Sequence, residues 1–294
     1  MQPDILTPML ASEIHDPAAA AFANTATVVC DQTLAADYPT NVLSLVTLNT
    51  GSGHFDNANP FQTVRAFKQK VISLSIRHVE NDLFVSLEKQ GGFWRIKSAR
   101  CNIEAPVLVN CAGAWGDQIA AMLGDPVPLE IQALMLIITD RLKPFVKPVV
   151  SVQGRSLSFK QFYNGTVLIG GAYRDWAEPE YNRTHLDPRG LAANASNAAV
   201  VFPAIWGARI MRCWAGIVGR MADDIPVIGA STAEGAFHAF GFSAHGFALS
   251  PIVGRIISDL VTKGTTNLPI DAFSVERFSI TASSRLQVAI LRFL

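Results

Sequence analysis

A glycine-rich turn before an apolar helix is the stretch of this sequence best suited to bind a ligand. Residues 238–264 place Gly241 and Gly246 around a short turn, and apolar residues then recur three or four positions apart. Pro251 fits this helix only if the helix begins near Phe247. The first N–H groups of a helix lack intrahelical acceptors and lie at the positive end of its dipole. The turn therefore suits an anion or an electron-rich ring edge, although a glycine turn before a buried helix is also common in ordinary cores.

Two arginines could bind a carboxylate. Arg174 follows the end of a strand-like segment at residues 170–171, and a guanidinium pairs bidentately with a carboxylate. An exposed arginine in a hairpin is the alternative. Arg212 could bind a carboxylate too, or pair with Asp223 or Asp224, and we favour the pairing.

Other polar residues fit ordinary structural roles better. Lys160 is expected to be solvated, while Tyr163 and Tyr173 either reach a cavity or simply pack within strands. His54 and His78 have no metal-ligand spacing, and the four cysteines lack the CxxC spacing of a zinc site. We therefore expect no metal site.

The first half of the chain predicts a helix, a small antiparallel sheet and a buried strand. Pro60 is expected to start the helix, which covers residues 61–71. A β-meander follows, with strands at residues 71–77, 83–88 and 93–97. The run at residues 107–109 is apolar on both faces, which is typical of an interior parallel strand.

The second half predicts longer strands. Asn164 and Gly165 form the strongest hairpin signal, and Asp187 before Pro188 is expected to cap a helix that continues to about residue 202. Two short strands, at residues 223–229 and 236–240, lead into the glycine turn. The longer strands are expected at residues 129–139, 157–163, 167–171 and 210–218.

Composition bounds the class of protein. The chain has 294 residues, of which 49% are hydrophobic and 16% charged, so it can bury a sizeable core. The net charge is zero, which removes the electrostatic case for a nucleic-acid partner. No apolar run approaches the roughly 18–20 residues of a transmembrane helix, and the N-terminus lacks an apolar signal core. We expect a cytoplasmic globular protein.

Three motifs resemble the FAD-dependent amino-acid oxidase and dehydrogenase family, which includes D-amino acid, glycine and sarcosine oxidases. Residues 107–115 end in Ala-Gly-Ala-Trp, residues 212–229 contain Trp-Ala-Gly and later Asp-Ile-Pro-Val-Ile-Gly, and residues 240–254 contain Phe-Ser-Ala-His-Gly-Phe. Their order and separations also fit, over residues 51–278. The last motif is most similar to the β subunits of hetero-oligomeric dehydrogenases that act on opines, D-hydroxyproline or glycine, the last being hydrogen cyanide synthase.

The resemblance implies FAD as the cofactor and assigns residues to it. Val79 would meet the adenine, and Ala112, Gly113 and Trp115 would lie near the FAD. His245 would polarise the substrate or hydrogen-bond the flavin, unless its role is structural, and Arg174 is the other catalytic candidate. The turn that would line the isoalloxazine contains Gly241, Ser243, Ala244, His245, Gly246 and Phe247.

The sequence also departs from the family pattern. The family's G-x-G-x-x-G turn, which holds the pyrophosphate at a helix N-terminus, has no counterpart, because residues 51–56 contain two glycines and no third. The simple oxidases place arginines for the substrate carboxylate where this chain has Val218 and Ala244, which argues against a glycine-oxidase-like clamp. We expect the first βαβ unit to be missing and its neighbouring strands to be unpaired unless another chain completes the sheet.

These observations predict a mixed α/β (α+β) fold, in which an incomplete Rossmann-like FAD-binding domain is interleaved with an antiparallel-sheet substrate domain. The expected activity is oxidation of the C–N bond of an amino acid or opine, with hydride transfer to flavin N5, by a truncated chain. The alternative is a non-catalytic or inactive fragment or subunit that needs a partner chain, and hetero-oligomers with other dehydrogenase subunits are expected. The expected divisions are an irregular segment 1–50, an FAD-binding part at 51–125 and 224–278, a substrate domain at 126–223 and a tail at 279–294.

Overall fold

The computed structural model describes residues 60–146, 149–152, 155–171 and 173–278, together with the backbone of three short earlier strands. These strands are β1 (Ala26–Val29), β2 (Thr47–Asn49) and β3 (Phe55–Asn57), of which β2 and β3 pair antiparallel. The expectation that segment 1–50 is irregular is therefore wrong at β1 and β2, where β-branched residues favour an extended backbone. The predicted tail at 279–294 and His54 lie outside the described residues.

The next part of the chain forms the predicted helix and meander. Helix α1 spans Pro60–Ser73, so the strand predicted at residues 71–77 is wrong. The partly buried Phe67, Val71 and Leu74 continue one helical face, and this periodicity outweighs the β-propensity of Val71 and Ile72. An antiparallel sheet follows, made of β4 (Phe84–Gln90), β5 (Phe93–Ser98) and β6 (Asn102–Ala105).

A buried strand and a short helix follow the meander. Strand β7 (Val107–Asn110) contains Leu108 and Val109, which are at most 1% exposed. A 3₁₀ turn at Gly113–Trp115 leads into helix α2 (Gly116–Met122). Further 3₁₀ turns lie at Pro179–Tyr181, Pro203–Ile205, Asp271–Phe273 and Val275–Phe278.

Residues 126–223 contain a large antiparallel sheet. At the predicted hairpin, Gly165 has φ of +91° and Thr166 N donates to Asn164 Oδ1 at 3.0 Å. A two-stranded hairpin, β13 (Ala177–Glu178) with β14 (Arg183–Thr184), lies beside the sheet. The strands of the large sheet are β8 (Leu129–Arg141), β9 (Val150–Val152), β10 (Arg155–Gln161), β11 (Thr166–Gly170), β12 (Arg174–Asp175) and β15 (Ile210–Met221).

The two faces of this sheet differ. Helix α3 (Pro188–Val201) begins at the predicted cap, where Asp187 accepts hydrogen bonds from Arg189 N and Gly190 N. It packs on one face through a cluster that includes Ile137, Phe159 and Ala198. The strand register places the opposite set of residues on the face away from α3: Leu136, Ile138, Lys160, Leu168, Arg174, Arg212 and Trp214.

The last elements complete a second sheet around β7. Its order is β1, β7, β17 (Ala236–Phe240) and β16 (Val227–Ala230), with β7 parallel to both β1 and β17. β1 pairs with the edge of β7 opposite β17. The expectation that strands next to the missing unit are left unpaired is therefore wrong for β7. The interior parallel strand predicted at residues 107–109 is confirmed.

Helix α4 (Gly246–Lys263) packs across this sheet. Its Val253, Ile256 and Ile257 are buried against side chains of β7, β16 and β17. It begins where Pro251 requires, and the Phe247 carbonyl that Pro251 cannot engage accepts a hydrogen bond from Ser250 Oγ at 2.9 Å. In the described portion of the chain, no helix combines the length and apolar character needed to cross a membrane.

Candidate functional site

The glycine turn before α4 has an unusual backbone. Gly241, Ser243 and Ala244 have φ of +73°, +48° and +75°, and two of these three residues carry a Cβ. A Cβ on Gly241 would lie 2.6 Å from Met221 Sδ, so only glycine fits there. Left-handed residues other than glycine cost energy and concentrate where function requires a fixed backbone.

Strand β15 holds the turn in this conformation. Ser243 N donates to Gly219 O at 3.3 Å, and Met221 N donates to Ser243 Oγ at 3.1 Å. Arg220 and Phe242 form an isolated antiparallel bridge. The Ser243 hydroxyl therefore helps to fix the turn onto the large antiparallel sheet.

The N-terminus of α4 is available to a ligand. Its N-cap residue is His245, and among the described residues no side chain caps it. Ala244 and His245 are exposed, whereas Gly246 and Phe247 are partly buried. The first-turn N–H groups of this 18-residue helix thus present donors and the positive end of the dipole beside exposed residues.

The Ala-Gly-Ala-Trp turn also packs against β15. Ala112 and Ala114 are buried, and Trp115 packs on the core cluster under β5. Gly113 has φ of +58°, and a Cβ there would meet none of the described residues within 4 Å. This turn therefore offers open backbone at Gly113 between the buried Ala112 and Ala114.

Gly219 joins the two turns, and the sequence interpretation missed it. A Cβ on Gly219 would lie 3.0 Å from Ala114 Cα, while the carbonyl of Gly219 accepts the hydrogen bond from Ser243. A glycine inside a predicted strand is a recognised signal of close backbone approach. The turns predicted to bind the cofactor are thus brought together at one residue.

The two predicted catalytic residues, Arg174 and His245, both lie near the carboxylate of Asp224. A bidentate pair with Arg220, at 2.6 and 2.8 Å, lowers the pKa of Asp224, and the charges of Arg174 and His245 lower that pKa further. Arg174 is exposed. The structure therefore brings Arg174 and His245 close to the same carboxylate.

Two expectations for polar residues are wrong. The aspartates do not pair with Arg212: Asp224 pairs with Arg220, and Asp223 pairs with Arg277 at 2.9 Å. Lys160 is not solvated but 5% exposed, and burial lowers its pKa to about 8. Its Nζ lies 4.8 Å from the centre of the Phe162 ring.

The remaining predicted residues lie apart from the two turns. Val79 is partly buried in an irregular segment between α1 and β4. Tyr163 is 98% exposed, and Tyr173 accepts a hydrogen bond from Asn197. Trp214, on the face of the large sheet away from α3, is buried, and its indole N–H has no hydrogen-bond partner within the part of the chain that the structure describes.

Comparison with known proteins decides the family. Residues 19–260 match the family profile described as DAO, FAD dependent oxidoreductase. The chain belongs to this family. Family membership implies FAD as the cofactor.

Individual relatives agree with this assignment. The sarcosine oxidase subunit beta of Rhizobium meliloti is 26% identical over 68% of this chain and 45% of its own length. Hydrogen cyanide synthase subunit HcnC of Pseudomonas protegens is 23% identical over 75% of this chain and 52% of its own. The chain spans about half the length of these curated relatives.

The fold also matches solved structures. The L-proline dehydrogenase from P. horikoshii superposes with a TM-score of 0.71 and 26% identity, covering 76% of this chain and 61% of that one. A glycine oxidase from Geobacillus kaustophilus gives a TM-score of 0.68. The predicted α/β fold with an antiparallel sheet is therefore confirmed.

The two turns fit a flavin cofactor chemically. Gly113 exposes backbone with space beside it, and α4 presents uncapped N–H groups next to the exposed Ala244 and His245. A reduced flavin ring edge carries negative charge, which such donors stabilise. Among the described residues, no cluster of three or more His, Cys, Asp or Glu side chains could hold a metal ion.

Proposed function

We propose that this chain oxidises the C–N bond of an amino acid or opine as an FAD-dependent oxidoreductase. The observation that carries the proposal is the meeting of the two turns at Gly219, beside the uncapped N-terminus of α4. FAD, when bound, supplies the acceptor for hydride from the carbon next to nitrogen. The protein's own contribution is to bind, to orient and to provide electrostatic stabilisation.

The turn and α4 would hold the isoalloxazine. The N–H groups of Gly246 and Phe247 belong to the first helical turn and donate to no acceptor within the helix. Two hydrogen bonds between Ser243 and β15 fix the left-handed backbone at Ser243 and Ala244. This fixed turn holds the N–H groups of Gly246 and Phe247 in place at the start of α4. A rigid array of donors stabilises developing negative charge without reorganising.

Arg174 is proposed to bind the substrate carboxylate. It is exposed, lies on the face of the sheet away from α3 and is close to Asp224, as is His245. Asp224 is already paired bidentately with Arg220, which leaves the Arg174 guanidinium able to donate hydrogen bonds to a substrate carboxylate. His245 is proposed to orient the substrate next to it.

The face of the large sheet away from α3 is proposed as the substrate-facing surface. It carries the apolar Leu136 and Ile138 and the indole N–H of Trp214, which has no hydrogen-bond partner among the described residues. Ligand sites combine apolar walls with a few placed polar groups. Substrates with an apolar part and a carboxylate therefore fit this face better than highly charged ones.

A hetero-oligomeric assembly is proposed as well. The relatives named above include subunits of sarcosine oxidase and of hydrogen cyanide synthase. If the chain requires such a partner to complete its cofactor site, it behaves as a subunit without activity of its own.

The test is flavin retention followed by reduction. The purified full chain is incubated with FAD and desalted, and the flavin absorbance near about 450 nm is measured. Anaerobic addition of glycine, sarcosine, proline or an opine should bleach this band. Absence of retained flavin would contradict the proposal for the isolated chain. Retained flavin that no carboxylated amine bleaches would contradict the proposed substrate class.

A further inference from the structure

A buried hydrogen-bonded chain runs behind both turns. His238 on β17 is completely buried and stands opposite Asn110 on β7 in the parallel register. Its Nε2 lies 2.9 Å from Asp125 Oδ2, and its Nδ1 lies 3.3 Å from Asn110 Nδ2. The imidazole therefore bridges an amide and a carboxylate.

The partners select one protonation state of the ring. Asn110 Nδ2 can only donate, so Nδ1 accepts and Nε2 carries the proton that it donates to Asp125. Burial lowers the pKa of His238, although the hydrogen bond to Asp125 opposes this shift. Burial raises the pKa of Asp125, but hydrogen bonds from Ser231, Thr232 and His238 outweigh it and hold that pKa below its ordinary value. A neutral imidazole with its proton on Nε2 therefore donates to an ionised Asp125 carboxylate.

Asn110 transmits this arrangement to the Ala-Gly-Ala-Trp turn. Its Nδ2 also donates to Gly116 O at 2.8 Å, and its Oδ1 accepts from Ala112 N at 3.1 Å. The side chain thus fixes both ends of the turn that contains Gly113. A second proton, on His238 Nδ1, would face the Asn110 amide and break this link.

Phe240 links the His238 ring to the second turn, the glycine turn before α4. Its ring meets the His238 ring edge-on at 5.4 Å between centres, and a Cβ on Gly116 would lie 2.4 Å from the same phenyl ring. Phe240 is also the residue immediately before Gly241. Packing around His238 therefore reaches both turns.

We infer that His238 is a positioning residue, which fixes the two turns relative to each other through Asn110 and Phe240. The inference rests on the proposed role of these turns in binding FAD. His238 acts through its neighbours, so its removal should alter cofactor affinity and local backbone protection together.

Two substitutions separate hydrogen bonding from packing. In His238→Gln, the amide nitrogen can donate to Asp125 and the amide oxygen can accept from Asn110. In His238→Phe, an aromatic ring remains against Phe240 but both hydrogen bonds are lost. Ile137→Val, in the separate core under α3, serves as a destabilised control.

The measurements are FAD titration and amide hydrogen exchange of the full chain. We expect His238→Phe to raise the FAD dissociation constant about tenfold and His238→Gln less than about threefold. Exchange of the peptide 110–116, which includes the Ala112 amide, should accelerate in His238→Phe and not in Ile137→Val.

The outcomes are decisive in either direction. If His238→Phe binds FAD like the wild type, or if Ile137→Val loses FAD to the same extent, the positioning role is overturned. If the wild type binds no FAD, the proposed function fails, and exchange alone decides: acceleration confined to residues 110–116 supports the inference, and acceleration spread over the chain overturns it.

Discussion

Gly219 lies against Ala114 so closely that a Cβ on Gly219 would come within 3.0 Å of the Ala114 Cα. The contact brings a strand of the large sheet directly onto the turn that follows β7. We expect Gly219→Ala to push these elements apart at a cost of about 1–3 kcal/mol and to reduce flavin retention. Urea unfolding and retained flavin absorbance measure both effects.

Gly216 provides the matched control for this substitution. It lies on the same strand, and a Cβ there would meet none of the described residues within 4 Å. Gly216→Ala should therefore change unfolding and flavin retention little. Equal effects of the two alanines would show that the contact with Ala114 is unimportant.

Gly241→Ala should destabilise the protein more than Gly264→Ala. Both glycines are left-handed, with φ of +73° and +76°, so both substitutions pay about 1 kcal/mol of backbone strain. Only at Gly241 would the new Cβ also meet Met221, at 2.6 Å, which adds about 1–3 kcal/mol. Thermal unfolding of the two variants tests the difference, and similar melting temperatures would contradict it.

Arg174→Gln should raise KM for a carboxylated amine about 10- to 100-fold, because a charge-assisted hydrogen bond to the substrate is lost. We expect kcat to change less, since a carboxylate is bound in both the ground and the transition state. The substrate is the amine that bleaches the flavin. Arg212→Gln is the comparison, because Arg212 lies on the same face of the sheet, and a larger effect there would transfer the role to Arg212.

Lys160→Met should stabilise the protein at pH 7. Burial lowers the folded-state pKa of Lys160 to about 8, so the unfolded chain binds more protons between pH 8 and the ordinary lysine pKa. The free energy of unfolding of the wild type should accordingly rise with pH across this window. Below pH 8 the full cost of burying the charged Lys160 ammonium is present, and its removal should stabilise the protein by about 1–3 kcal/mol.

Urea unfolding at pH 7, 8.5 and 10 measures this gain. Lys160→Met should lose the rise with pH, whereas substitution of the exposed Lys97 by Met should keep it. An unchanged pH slope in Lys160→Met would contradict the assignment.

Local signals predicted much of the fold. The cap at Asp187, the turn at Gly165 and the course of α4 all depend on neighbouring residues, and each was confirmed. Residues 71–77 were mistaken for a strand because Val71 and Ile72 favour strands locally, while the helical face of α1 continues through them.

Features that depend on long-range pairing could not be predicted. The burial of Lys160 depends on which strands flank β10, and the partner of Asp223 is Arg277, which lies 54 positions later in the sequence. The bridge from His238 to Asp125 joins residues 113 positions apart in sequence. The sequence motifs identified the two turns, whereas Gly219, which joins them, required the three-dimensional arrangement.

The parallel pairing of β7 also has a consequence for the order of folding. The pairing of β7 with β17 must wait until the whole intervening antiparallel sheet has been synthesised. Hairpin contacts within residues 126–223 close short loops and should form sooner. Pulse-labelling hydrogen exchange should therefore protect β10 and β11 before β17, and the sheet behind the Ala-Gly-Ala-Trp turn would be the last part of the molecule to acquire its shape.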